Sequence, residues 1–214
     1  MKPIPTRTVE RLFRYGQLLH AKKEAGAEAV FSRELAQAVD VSPEQVRRDL
    51  MNFHLKGTPQ QGYPVEQLLR KLYEHLETQA ATKIALLGVG NLGKAILSYF
   101  LRRRPNLSIV AAFDTDPEKA GRVYAGSQVY HISQLEKIAA RENITVGVIT
   151  VPAASAQQSA DLLVKAGIRA ILNFAPTQLQ LPREIYLENI DITLSIEKAA
   201  YFSRKSGTDR RHGK

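Results

Sequence analysis

A chain of 214 residues with 44% apolar side chains can fill one large core or two small ones, and it has no run near the ~18 uninterrupted apolar residues of a membrane span. The absence of cysteine excludes disulfides and thiolate metal sites, and the opening MKPIPTRTVERLF lacks the apolar core of a signal peptide, so a cytoplasmic protein without a membrane partner is expected. The net charge of +9 favours an anionic partner, yet residues 1–80 hold 12 Lys/Arg against 10 Asp/Glu, so charge alone does not mark a nucleic-acid-binding half.

In chain order, the first eighty residues read as helical. TVERLFRYGQLLHAKKE puts Val9, Leu12, Phe13, Leu18 and Leu19 near one helical stripe, and Gly26 interrupts it. FSRELAQAV is a second, short helix with Ser32 expected at its N-cap. The next segment, DVSPEQVRRDLMNFHL, carries a full set of start signals: Ser42 at the N-cap, Pro43 at the first helical position, Glu44 in the first turn and Gln45 at the capping-box position. Val46, Leu50 and Phe53 fall at i, i+4 and i+7 and should face a core. Two helices joined by the tight VDVS turn make a helix-turn-helix. KGTPQQGYPV, with two glycines and two prolines, suits a hairpin wing or a linker, and VEQLLRKLYEHLETQ is a fourth helix.

A domain boundary is expected near Gln79 to Thr82, giving a helix-turn-helix domain over 1–80, a strand–helix domain over 81–194 and a terminal segment over 195–214. From Lys83 onward, the apolar runs KIALLGVG, LSIVAAFD, VGVITVP, RAILNFAP and IDITLSI alternate with helical stretches around 92–103, 134–142 and 154–166. Such alternation predicts an α/β domain with a parallel sheet covered on both faces. The last stretch, SRKSGTDRRHGK, is polar and basic, as solvated termini commonly are.

Gly88, Gly90 and Gly93 form G-x-G-x-x-G directly after a strand and at the opening of a helix. In that context the glycines permit a tight turn, a close approach to a pyrophosphate and close helix packing, while backbone amides of Val89, Asn91 and Leu92 can face the phosphates. Asp114 lies 21 residues after Gly93 at the end of the next strand, where a carboxylate accepts ribose hydroxyls and disfavours a 2′-phosphate, so NAD is expected over NADP. Two further strand ends belong to the same crevice: Thr150, Val151 and Pro152, and Asn173, Phe174, Ala175 and Pro176. A mostly apolar wall accepts neutral dihydronicotinamide more readily than the cationic oxidised ring, because desolvating an unpartnered charge is costly, and so can tell NADH from NAD+.

Chemistry on the cofactor is not expected. Only 20 residues follow Leu194, too few for a substrate domain, and none of the five histidines sits where a dehydrogenase needs its acid/base. On the capped helix the outward arc carries Glu44, Gln45, Arg48, Met51 and Asn52, with Arg47 on its flank. Gln45 and Arg48 are the expected base readers and Arg47 a phosphate contact. The other readings left open are an NAD-dependent oxidoreductase with an accessory helical domain, and a CoA- or nucleotide-binding interaction module.

The order QVRRDL, GVGNLG, FDTDPEKAG, TVPAASAQ, DLLVKAGIRAILNFAP, ENIDIT and IEKAAYF resembles the Rex family of bacterial redox-sensing transcriptional repressors over nearly the whole chain. The resemblance implies a winged-helix DNA-binding domain, a homodimer whose C-terminal helices exchange between subunits, binding to palindromic operator DNA with NAD+ or no ligand, and release by NADH. It places Ser42 and Tyr63 with the DNA contacts, and Tyr99 and Asp191 with residues that relay the nicotinamide state. Two departures stand out: Gln17 occupies the place of a first-helix arginine and cannot pair with Asp191 as an ion, and Pro59 and Gln60 replace the wing's Arg and Gly.

Overall fold

The computed structural model describes residues 4–52, 57–58, 61–76, 81–101 and 106–208, with side chains to 204. Phe53, Pro59, Gln60 and Gln79 lie outside the described residues, as does 209–214. Two compact units result, Met1–Ala80 and Ala81–Lys214.

In the first unit, α1 (Thr6–Glu24), α2 (Ser32–Val39), α3 (Pro43–Asn52) and α4 (Val65–His75) surround one core. Leu12, Tyr15 and Leu19 of α1 meet Leu35, Leu50 and Leu72 there with none of their surface exposed. Phe13, expected on this stripe, is instead 43% exposed; it precedes Tyr15 by two positions, about 200° around the helix. α2 begins at Ser32, so Phe31 is its N-cap, and the Glu34 carboxylate reaches back to accept the Phe31 N–H at 2.8 Å. α2 ends with Asp40 in the left-handed region (φ 55°), which turns the chain into α3. A small antiparallel sheet of β1 (Ala29–Val30) and β2 (Tyr63–Pro64) closes the unit, with a bridge between Thr58 and Gly62 just ahead of it.

The second unit is built on seven strands: β3 (Thr82–Leu87), β4 (Leu107–Asp114), β5 (Val123–Tyr124), β6 (Ser127–His131), β7 (Val146–Ile149), β8 (Ala170–Asn173) and β9 (Tyr186–Asn189). Their order in space is β5-β6-β4-β3-β7-β8-β9, all parallel except β5. Side chains alternate between faces along β3. Ile84 and Leu86 join the core beneath Leu97 of α5 (Asn91–Phe100). Ala85 and Leu87 join the opposite core with Ile138 of α6 (Leu135–Glu142) and Leu163 of α7 (Ala153–Lys165). A Cβ on Gly147 of β7 would lie 2.6 Å from Leu163, which shows how closely α7 approaches the sheet.

The hairpin β5–β6, within VYAGSQVYH, was not anticipated; its strands are short, and its turn is an Ala-Gly pair rather than Asn-Gly. IDITLSI is not the last strand: β9 precedes it, and Ile192 starts the helix α8 (Ile192–Thr208). Asp191 accounts for the difference by accepting the Leu194 N–H at 2.8 Å, an N-cap bond that favours helix over the β-branched run. The expected limit at 194 therefore falls inside α8. No described helix is long and apolar enough to cross a membrane.

Candidate functional site

The central strand β3 is the switch point of the sheet: the chain proceeds to β4 on one side and later to β7 and β8 on the other. At such a point the loops beyond the strand ends part and leave a crevice. The registers Leu87↔Phe113, Leu87↔Ile149 and Ile149↔Asn173 bring the C-terminal ends of β3, β4, β7 and β8 level with one another. Residues 88–93, Asp114, 150–152 and 173–176 thus emerge along one edge.

The three glycines of the loop do different things. Gly88 sits at φ +96°, where a Cβ would be 2.9 Å from the Thr150 carbonyl, and Gly93 packs so closely that its Cβ would meet the Gly88 carbonyl oxygen at 2.1 Å. Thr150 completes this packing, its hydroxyl donating toward the carbonyl oxygens of Gly88 at 2.7 Å and Leu87 at 3.0 Å. Gly90, the N-cap of α5, differs: a Cβ there would meet nothing within 4 Å. That open approach, beside the positive end of α5 and the exposed Asn91 and Leu92, fits a pyrophosphate.

Asp114 is 9% exposed. It accepts the Val89 N–H at 2.8 Å, the Asp116 N–H at 2.9 Å and Lys119 Nζ at 3.0 Å. Burial opposes its ionisation, but these donors outweigh burial and hold its carboxyl below the usual carboxylate range. The carboxylate is therefore charged, fixed to the glycine loop through Val89, and suited to accepting hydroxyls. Val89 itself is fully buried and contributes only its backbone. Lys119 was not anticipated; its only sequence signal is its place five residues after Asp114.

Farther along the edge, Pro152 is exposed, Val151 is half-buried and Ala175 is buried. Asn173, expected among cofactor contacts, is 1% exposed and spends its side chain on its own loop and on the end of β9. Its Nδ2 faces the carbonyl oxygens of Ala175 and Thr177 and Oδ1 of Asn189, while its Oδ1 accepts the Ala175 N–H. With both ends engaged it shapes the 175–177 turn and does not reach into the crevice.

In the first unit, Ser42 caps α3 by accepting the Gln45 N–H at 3.2 Å. Gln45 does not close a capping box. Its Nε2 donates instead to Oδ1 of Asp49 at 2.8 Å. Asp49, which sequence reasoning passed over, is 2% exposed and also receives Arg11 through Nε at 2.6 Å and Nη2 at 2.8 Å, and the Tyr15 hydroxyl at 3.1 Å. Burial works against its charge, yet the Arg11 and Gln45 hydrogen bonds prevail and its carboxyl lies below the ordinary range. Arg47 reaches Glu44 at 2.6 Å and Ser32 at 3.2 Å on the rim of a cavity of about 650 Å³ between the starts of α2 and α3 and the residues Gly57, Thr58 and Tyr63. Arg48 and Met51 are exposed. Tyr63, expected at the DNA, is 8% exposed; a Cβ on Gly57 would lie 2.7 Å from its ring, so the ring packs on the bare Gly57 backbone beside the Thr58–Gly62 bridge.

Of the residues expected to relay the cofactor state, Tyr99 is 58% exposed on α5 with its ring edge-on to Phe100, Gln17 is exposed on α1, and Asp191 caps α8. α8 itself leaves Ile192, Leu194, Ile196, Tyr201 and Phe202 each at least 45% exposed. No group of three or more His, Asp or Glu that could hold a metal ion occurs among the described residues.

Known proteins resemble both units. The family described as "Putative DNA-binding protein N-terminus" matches residues 3–50, and "CoA binding domain" matches residues 79–177. The chain is 42% identical over 199 residues to a redox-sensing transcriptional repressor Rex of Geobacillus kaustophilus, covering 93% of each chain. It is 39% identical over 206 residues to one of Anoxybacillus flavithermus, covering 96% of this chain and 97% of the other. Among solved structures, a Rex-family repressor, RSP, matches at 30% identity with TM-score 0.87, each chain covered to 99%. RSP bound to β-NAD+ and operator DNA matches with TM-score 0.88, covering 99% of this chain and 97% of the other, and RSP bound to β-NADH with 0.86, covering all of both.

Proposed function

This chain belongs to the Rex family of redox-sensing transcriptional repressors, and on that premise we propose that it binds operator DNA with NAD+ or no ligand and leaves it on binding NADH. It is a regulator, not an enzyme. The observation that carries the reading is the pairing on one chain of the open Gly90 approach beside a charged Asp114 with a capped helix presenting Arg48. The loop from Gly88 to Gly93 would hold the pyrophosphate and Asp114 the adenosine ribose, leaving Val151, Pro152 and Ala175 for the nicotinamide. The cofactor supplies one difference between its two forms, the positive charge that the oxidised ring carries. The 3′-phosphate of coenzyme A would stand against the ionised Asp114, which favours a dinucleotide with free ribose hydroxyls.

In the reading head, Ser42 holds the start of α3, Arg47 takes a phosphate, and Gln45 and Arg48 read bases in the major groove. Asn173, Thr150 and Tyr63 act as positioning residues. Tyr99 and Asp191 relay the cofactor state, with Gln17 making the relay weaker than an ion pair would. The working form is a homodimer in the cytoplasm on a palindromic site, since the apolar side chains along α8 need a cover that a second copy provides.

Fluorescence anisotropy of a labelled palindromic operator, titrated at several NADH/NAD+ ratios, tests the switch. Affinity should fall as NADH replaces NAD+. Equal affinity at saturating NADH and saturating NAD+ overturns the reading.

A further inference from the structure

Gln45 is half-buried near the start of α3, beside the exposed Glu44 and Arg48, and one end of its carboxamide is tied inward. Its Nε2 donates to Oδ1 of Asp49 at 2.8 Å, and Asp49 is buried. A carboxylate has no proton to give, so whichever end of the amide faces Asp49 must be the nitrogen. Arg11 holds that carboxylate in place through two bonds, with the Tyr15 hydroxyl as a third donor. The acceptor is thus anchored to α1 and cannot turn to follow Gln45.

We propose that Asp49 is a specificity-determining residue of the reading head, one that fixes the Gln45 carboxamide so that Oε1 and the remaining Nε2 proton face the major groove and select adenine. Adenine offers there an N6 donor beside the N7 acceptor, which matches an oxygen and one N–H side by side. Guanine offers O6 and N7, both acceptors, and would confront Oε1 with another oxygen. A glutamine without the Asp49 anchor could turn its NH₂ outward and satisfy guanine as well. The buried ion pair of Arg11 and Asp49 thereby gains a use other than stability, to which buried pairs often add little. The inference rests on the reading of Gln45 as a base contact.

The test compares affinities of the full-length dimer for an operator and for its single-base variants at every half-site position. Gln45→Ala should flatten the adenine preference at one base pair by about tenfold. Asp49→Asn should reduce the preference at that same base pair by about three- to tenfold, leave the preference at other positions within about twofold, and have no base-dependent effect when combined with Gln45→Ala. If Asp49→Asn weakens all operators alike, Asp49 is only a staple between helices and the proposal fails while the base-reading role stands. If Gln45→Ala changes no preference, the base-reading role fails too. Should Asp49→Asn not fold, the unaltered protein still decides: one Gln45 side-chain N–H should exchange with solvent at least about tenfold more slowly than those of the exposed Gln17. Equal exchange overturns the orientation.

Discussion

Two glycines three residues apart, one at the N-cap of α5 and one inside its first turn, should respond to the same substitution in opposite ways. At Gly90 an added methyl meets no protein atom within 4 Å, and the backbone, at φ −84° and ψ −164°, is one that alanine adopts freely. Gly90→Ala should therefore cost stability only the small difference between Gly and Ala as an N-cap, at most ~1 kcal/mol. The methyl would occupy the space through which a pyrophosphate approaches. Losing one charge-assisted hydrogen bond, worth ~1.5–3 kcal/mol, weakens both NADH and NAD+ by roughly ten- to a hundredfold. At Gly93 the methyl would lie 2.1 Å from the Gly88 carbonyl oxygen and 3.0 Å from Thr150 Oγ1. Helix and strand would have to separate, so Gly93→Ala should cost ~1–3 kcal/mol or more in folding. Isothermal titration with NADH, alongside thermal melts, separates the two effects. A Gly90→Ala protein that melts normally and binds NADH as tightly as the parent would refute the assignment of this loop to the phosphates.

Three more outcomes are expected. Ala125, at φ 47° before Gly126 in the β5–β6 turn, holds a left-handed conformation that asparagine tolerates better, so Ala125→Asn should raise the melting temperature of its unit by a few degrees, from roughly 0.5–1 kcal/mol; an unchanged or lower value would contradict that account. Because the Asp114 carboxyl is held below its ordinary value, its favourable contacts persist from neutral pH down past 3.8 and are lost only as pH falls through the lowered value. The pH dependence of NADH affinity between about pH 7 and 4.5 should thus be the same in the parent and in Asp114→Asn, whereas a proton-linked step centred near pH 6 that disappears on Asp114→Asn would refute the lowered pKa. Ile196 and Phe202 on α8 are 63% and 62% exposed, so replacing both by Asp should leave each unit folded and convert the dimer to monomer in sedimentation; a persistent dimer would move the interface away from α8.

Features with a periodic or positional signal could be read from the sequence. The alternation of Ile84 and Leu86 with Ala85 and Leu87 announces a strand buried on both faces, and Gly88, Gly90 and Gly93 after it announce the turn. The Ser42-Pro43 start of α3 is legible for the same reason: a cap is a local bond, and the Ser42 bond to Gln45 spans three residues. Long-range partners leave no such trace. Asp49 meets Arg11 across 38 residues, and nothing in RRDL names that partner or says that the aspartate turns inward with Leu50 while the two arginines before it face water. Asn173 and Tyr63 show the converse. Each sits next to residues with a surface role, and each is consumed by packing or by bonds to its own loop. At IDITLSI a β-branched run suggested a strand, but one capping bond from Asp191 set the segment as helix, because a helix start is decided at its first turn rather than by average propensity.

The proposed contacts also divide by what they can sense. NAD+ and NADH share their adenosine, ribose and pyrophosphate groups, so Gly90, Asp114 and the start of α5 contribute equally to both and cancel from any ratio of affinities. Moving an operator from nearly all bound to nearly all free needs about 5.5 kcal/mol of differential binding, and a ligand that binds two states equally shifts nothing. That difference has to arise at the nicotinamide end, where Val151, Pro152 and Ala175 offer carbon surface and no anion to a cationic ring. A neutral ring loses little hydration in such a place, and a charged ring loses much. On the proposed assignment the same apolar surface would serve as a detector of one positive charge, with the half of the cofactor common to both forms holding it there.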